Sequence, residues 1–157
     1  MIRPYDPDRD AEALRRCTVA LQEDLRALEP DLPAGEAMAD AYRATLFDRI
    51  ARFGGEIRMA EQGGRVVGFA AVLFAVGPEE PDRIQSPAAW VTDLVVVPGH
   101  RGRGLGKALL GEVEAAARRA GARTLNIGVL SRNADAARLY RAAGFRDYHV
   151  EMTKRLE

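Results

Sequence analysis

Residues 98–110 read PGHRGRGLGKALL: four glycines stand in the first nine positions, with Arg101, Arg103 and Lys107 among them and no acid. Glycine loses more conformational freedom on folding than any other residue, at about 0.5–1 kcal/mol per interior position. The stretch follows the apolar run DLVVV and leads into a pattern that puts Leu105, Leu109, Val113 and Ala116 on one helical face. Strand, glycine turn and helix start in that order make an anion site. The first amides of a helix have no internal acceptor, and the helix dipole favours negative charge beside them. Three or four charge-assisted hydrogen bonds at about 1.5–3 kcal/mol each outweigh the glycine penalty. The residue types therefore point to a phosphate or pyrophosphate cradle.

Two common nucleotide patterns fail here. For G-x-G-x-x-G, Gly102 and Gly104 would need a glycine at Lys107, and Gly104 and Gly106 would need one at Leu109. For G-x-x-x-x-G-K-[ST], Lys107 follows Gly106 correctly, but Arg101 replaces the first glycine and Ala108 the hydroxyl residue. One cysteine, Cys17, and two histidines leave no disulfide and no Cys/His metal cluster.

The elements around the cradle can be read from periodicity. MIRPY is a short strand, and Leu14, Cys17, Leu21, Leu25 and Leu28 form an amphipathic helix stripe that places Cys17 in the packing. EPDLPAG breaks the chain, and Met38, Tyr42, Leu46, Ile50 and Phe53 mark a second helix ended by Gly54 and Gly55. Residues 56–76 read as a hairpin, 77–87 as a polar loop with three prolines, and 89–97 as a buried strand containing Trp90. A strand over 123–130, a helix with Asn133 at its N-cap and Gly144 at its stop, and one or two strands over 145–156 complete the order. With 157 residues, 47% hydrophobic and 29% charged, and with 23 basic and 23 acidic residues, residues 1–157 read as a single cytoplasmic domain. Nothing global points to nucleic acid or a membrane, and MIRPYDPDRD lacks the apolar core of a signal peptide.

Arg101-x-x-Gly104-x-Gly106 after DLVVVP resembles the R/Q-x-x-G-x-G/A signature of the GNAT N-acetyltransferase superfamily. NIGVLSRNADAARLYRAAGF resembles that family's second signature through Asn133, Ala136, Tyr140, Gly144 and Phe145. Together the two cover roughly residues 89–146, and the N-terminal third agrees only in element order. The resemblance implies an α/β (α+β) fold: one mixed, mostly antiparallel, twisted sheet of six to seven strands with about four flanking helices. A V-shaped splay would separate two central parallel strands. It also implies acetyl-CoA as co-substrate and no metal. The backbone of Leu94, Val95 and Val96 would bond the pantetheine arm. Amides of Gly102, Arg103, Gly104, Leu105, Gly106 and Lys107 would take the diphosphate, with charge from Arg101 and Arg103. Asn133 would contact the pantetheine or order the helix start, and Tyr140 would point its hydroxyl at the cofactor sulfur. Relatives imply a homodimer.

Acetyl transfer to an amine poses two proton problems. An alkyl ammonium near pKa ~10.4 is about one part in ~2,500 neutral at pH 7, a cost of roughly 4.6 kcal/mol. A leaving thiolate must also be stabilised. Tyrosine is the weaker acid by ~1.5 units, so complete transfer from Tyr140 is uphill by about 2 kcal/mol, and a hydrogen bond is its expected role. Alanine acetyltransferases of ribosomal proteins, one branch of the superfamily, carry a glutamate where this chain has Gly128, which argues against their mechanism. Asp93, two residues from Val95 and on its face, is the candidate base or anchor for the acceptor ammonium.

Residues 1–40 hold ten acids against five arginines, and 21–40 hold six acids against one. An acidic half opposed to a positive cofactor half would suit a cationic amine acceptor. Three functions remain open at this level: N-acetylation of a small-molecule or peptide amine in a ternary complex, acylation from a longer acyl-CoA or of protein N-termini, and a non-catalytic CoA-binding module.

Overall fold

β1 (Ile2–Pro4) and α1 (Pro7–Leu28) meet at Asp6, which caps the helix by accepting from the Asp8 amide at 3.0 Å, with Pro7 opening the first turn. The computed structural model describes residues 1–78, 81–83 and 86–156. After α1 come α2 (Gly35–Phe53), β2 (Gly55–Gln62), β3 (Arg65–Val76), β4 (Ala88–Val96), α3 (Leu105–Arg119), β5 (Leu125–Ile127) and α4 (Ala134–Ala142). The strands form one sheet in the order β1-β2-β3-β4-β5, antiparallel except for the parallel β4–β5 pair across the α3 crossover. The glutamates and the isoleucine–glutamine pair of the expected loop 77–87, at positions 79, 80, 84 and 85, lie outside the described residues.

Each face of the sheet carries its own core. Leu14 and Cys17 of α1 and Leu46 of α2 cover Met59, Phe69, Ala71 and Val95. Leu109, Leu110 and Val113 of α3 cover Val67, Ala70, Val72 and Val91 on the other face. β3 is central and buried on both faces, which is why RVVGFAAVLF reads as a continuous apolar run rather than an alternating one. Burial lifts the Cys17 thiol to about 11, as befits a packed rather than a reactive cysteine.

Two expectations are corrected. The described sheet has five strands, not six to seven, because residues 145–156 form no strand; separately, the 123–130 strand shrinks to Leu125–Ile127. The C-terminal alternation is real, since Tyr148, Val150 and Met152 recur every second residue, but all three are exposed. Strand pairing needs a neighbouring ladder as well as a pattern, and β5 offers only three residues.

One ion-pair cluster ties the N-terminus together. Arg3 forms a bidentate pair with Asp10 at 2.6 and 2.8 Å and reaches Glu61 of β2 at 2.8 Å, while Asp10 also accepts from the Asp6 amide at 2.9 Å. The Arg3 hydrogen bonds hold the Asp10 carboxyl below the ordinary carboxylate range despite its burial. A lowered native pKa contributes stability above the unfolded value of about 3.9, and that contribution disappears as pH falls through the native value. Removing one partner of a buried pair costs about 3–5 kcal/mol. Arg3→Met is expected to lose stability of that order at pH 7 by urea denaturation, and to show a shallower acid dependence below about pH 4.

Candidate active site

The glycine stretch joins β4 to α3. Gly102 and Gly104 adopt φ of +74° and +80°, which side chains other than glycine rarely tolerate, and a Cβ at either would meet nothing within 4 Å. Among the described residues, no amide from Arg101 to Lys107 has a hydrogen-bond acceptor; the first internal bond of α3 is Ala108 N–H to Gly104 O at 3.0 Å. The first turn of α3 contains no acid. Arg103 and Lys107 form no ion pair among the described residues, so their charge is available at the loop. Arg101 is placed differently. Its Nε donates to Val96 O at 2.6 Å, and its Nη2 pairs with Asp24 of α1. Seven consecutive free donors, open space and uncompensated positive charge fit a diphosphate.

Beside this loop the sheet opens. β4 and β5 pair only through Ala89–Leu125, Trp90–Asn126 and Val91–Ile127, and β4 then continues to Val96 without its parallel neighbour. That is the expected splay. Val97 N–H donates to Val67 O at 2.9 Å on the β3 side, so strand alternation turns the backbone of Val96 and Leu94 toward the opening. The backbone of Val95 faces β3 instead, opposite Phe69, so the three-residue edge read from the sequence reduces to Leu94 and Val96.

A bulge in β4 sets the site's other wall. Asp93 stands opposite Ala71 and Val91 opposite Val72, leaving Thr92 as an extra residue. Val91 packs on the α3 side and Val95 on the α1 side, so the bulge turns Thr92 and Asp93 toward α1 and α2 together. Asp93 is buried, and its two oxygens accept from Tyr42 Oη and Thr92 Oγ1, both at 2.8 Å. Burial pushes the Asp93 carboxyl up, against the opposing effects of Thr92, Tyr42 and Arg49; burial and the neighbouring Asp93 charge push the Tyr42 hydroxyl up as well.

Tyr140 of α4 packs on the opposite face, at the margin of the core cluster of Val91, Leu109 and Val113, with its ring 6.1 Å from Phe145. Burial raises its pKa, and among the described residues its hydroxyl has no hydrogen-bond partner. Asn133 caps α4, its Oδ1 accepting from the Ala136 amide at 3.1 Å. Leu139 lies against Gly106, which places α4 beside the first turn of α3. Asp93 and Tyr140 therefore lie on opposite faces of the sheet.

Two cavities adjoin Thr92, and the smaller one also reaches Asp93. The smaller, about 90 Å³, lies between α1, α2 and β4 and includes Tyr42, Thr92 and Asp93. The larger, about 490 Å³, is lined by Asp48, Arg49, Arg52, Trp90 and Thr92 among others. Sequence reasoning missed Thr92, Tyr42, Arg49 and Arg52. Tyr42 was visible only as part of a helix stripe, and the other three carried no motif.

Comparison with known proteins bears on the family and the fold. The model described as "Acetyltransferase (GNAT) family" matches residues 19–145. An aminoalkylphosphonate N-acetyltransferase of Salmonella typhimurium is 30% identical over 121 residues, 77% of this chain and 73% of that protein. The crystal structure of a GCN5-related N-acetyltransferase from Ralstonia eutropha has a TM-score of 0.74 at 26% identity, over 99% of this chain and 97% of that one. An aminoglycoside N-acetyltransferase in complex with CoA shares the fold, with a TM-score of 0.68 at 20% identity over 100% and 99% of the two chains. With most of its length matched, the chain belongs to the GNAT acetyltransferase family.

Proposed function

We propose that the protein is an acetyl-CoA-dependent N-acetyltransferase that acetylates the primary amine of a small molecule or peptide within a ternary complex. The observation that carries this reading is the run of unpartnered amides from Arg101 to Lys107 at the start of α3. Relatives named for acetylating amines support it. Gly102, Arg103, Gly104, Leu105, Gly106 and Lys107 hold the diphosphate, Leu94 and Val96 offer backbone groups to the pantetheine, and Asn133 orders the start of α4 beside it. The bound CoA thioester supplies an activated acetyl group.

The chain's own residues handle the protons. Tyr140 keeps its proton at Oη, because burial raises its pKa, and donates a hydrogen bond into the opening. Asp93 accepts a proton from the acceptor ammonium, directly or through water, and its raised pKa brings it closer to the amine it must deprotonate. Holding both reactants in one cleft supplies much of the acceleration. We place this activity in the cytoplasm and in a homodimer. The exposed alternation of Tyr148, Val150 and Met152 supplies an apolar edge for a second copy. Among the described helices, none is long and apolar enough to cross a membrane.

Calorimetry with acetyl-CoA tests the cradle: Gly104→Glu should weaken binding at least tenfold while the fold, followed by circular dichroism, persists. Unchanged affinity would remove the cradle from the site. Tyr140→Phe is expected to lower kcat by about 10²–10⁴-fold in an assay of thiol release across an amine panel. For Asp93 the informative quantity is the pH profile. The base must be ionised, so wild-type kcat/KM should rise with pH through a value above the ordinary carboxylate range, and Asp93→Asn should lose that limb along with most of its activity. Full activity with an unchanged profile would exclude Asp93 as the base.

A further inference from the structure

The acids that suggested a cationic acceptor are already committed. Glu23 pairs with Arg26 at 2.8 Å, Asp24 with Arg101, Glu29 with Arg132 at 4.0 Å, and Asp31 with Arg155. Glu36 and Asp40 both pair with Arg15, at 2.8 and 3.1 Å. Every acid between residues 21 and 40 thus has an arginine beside it, which cancels most of the field that would draw a cation.

The large cavity has the opposite character. Arg49 and Arg52 lie three residues apart on one face of α2 and both line it. Among the described residues, neither has a carboxylate within ion-pair distance, although Arg52 lies 4.8 Å from the centre of the Phe53 ring. Asp48 is the one acid of the lining, against these two guanidiniums. Across the cavity stand Trp90, 39% exposed, and Thr92, whose hydroxyl is 2.8 Å from the Asp93 carboxylate. The cleft thus brings together two cations, an aromatic wall and Thr92, with a buried carboxylate just beyond that hydroxyl. Guanidinium groups match the geometry of carboxylate, sulfonate and phosphonate oxygens, and each can donate to two of them.

We infer that the acceptor is a short amine carrying an oxyanion, bound with its anionic group on Arg49 and Arg52 and its amine directed past Thr92 toward Asp93. This inference rests on the amine-acetylation reading and names the class of substrate for it. Arg49 and Arg52 are then specificity residues, and Trp90 forms the wall along which the substrate's carbon chain lies.

Trp90 is the only tryptophan, so fluorescence reports occupancy of this cavity without turnover. The enzyme with CoA present is titrated with 2-aminoethylphosphonate, β-alanine, propylamine and 1,3-diaminopropane, and each titration is repeated by calorimetry. At least one anionic amine should bind tenfold or more tightly than propylamine, and the phosphonate and carboxylate arms identify the preferred anion. That ratio should collapse toward one in Arg49→Met and Arg52→Met, and Arg49→Lys should recover part of it. Equal binding of all four amines, preference for the diamine, or a ratio unchanged in both Arg49→Met and Arg52→Met would overturn the inference. Thiol release measured in parallel separates the two claims. Acetylation without charge discrimination sinks only the substrate class, whereas charge-selective binding with no acetylation of any amine sinks the enzymatic reading.

Discussion

Beyond Val91 and Ile127 two parallel strands part company, and the backbone groups they would have exchanged are left to other partners. Buried N–H and C=O groups without partners cost about 1–3 kcal/mol each, so a sheet that opens between β4 and β5 needs something to fill the opening. Here Arg101 supplies part of the answer, donating to Val96 O while anchored to Asp24 of α1. The remaining demand at Leu94 and Val96 lies in line with the unpaired amides that begin α3. The opening and the cradle are thus two separate stretches of backbone, before and after the bonded residues Val97 and His100, and in the proposed function the pantetheine arm takes the first and the diphosphate the second.

Charge is divided in the same economical way. Surface ion pairs such as those of Glu36 or Asp31 contribute about 0–1 kcal/mol apiece to stability. Their larger effect is to neutralise the acidic N-terminal helices, leaving Arg49, Arg52, Arg103 and Lys107 as cations facing open space. The chain carries no formal net charge, yet its site is positive because its acids are matched elsewhere.

Much of this was legible in the residues. The helices around Leu14 and Leu46, the 56–76 hairpin and the α3 face show the periodicity that burial imposes, and each forms where that pattern places it. The cradle was legible because glycine is needed at Gly102 and Gly104 for a local reason, a positive φ, and local reasons survive in sequence. What was not legible depends on partners distant in the chain. The C-terminal alternation finds no ladder beside it, the acids of residues 21–40 meet arginines up to 124 residues away, and Tyr42 reaches Asp93 across 51. Spacing along α2 could not distinguish Tyr42, which bonds a buried carboxylate, from the core residue Leu46 on the same stripe.

The single extra residue in β4 limits how this strand can evolve. Because side chains alternate with a period of two, deleting Thr92 would turn over everything after it: Asp93 and Val95 would face α3, while Leu94 and Val96 would enter the helical layer of α1 and α2. A carboxylate would then be buried among leucines, and the backbone groups at the opening would exchange with those now bonded to β3. Many substitutions in AAWVTDLVV can preserve an apolar strand, but no change in its length by one residue can keep both the core and the cleft.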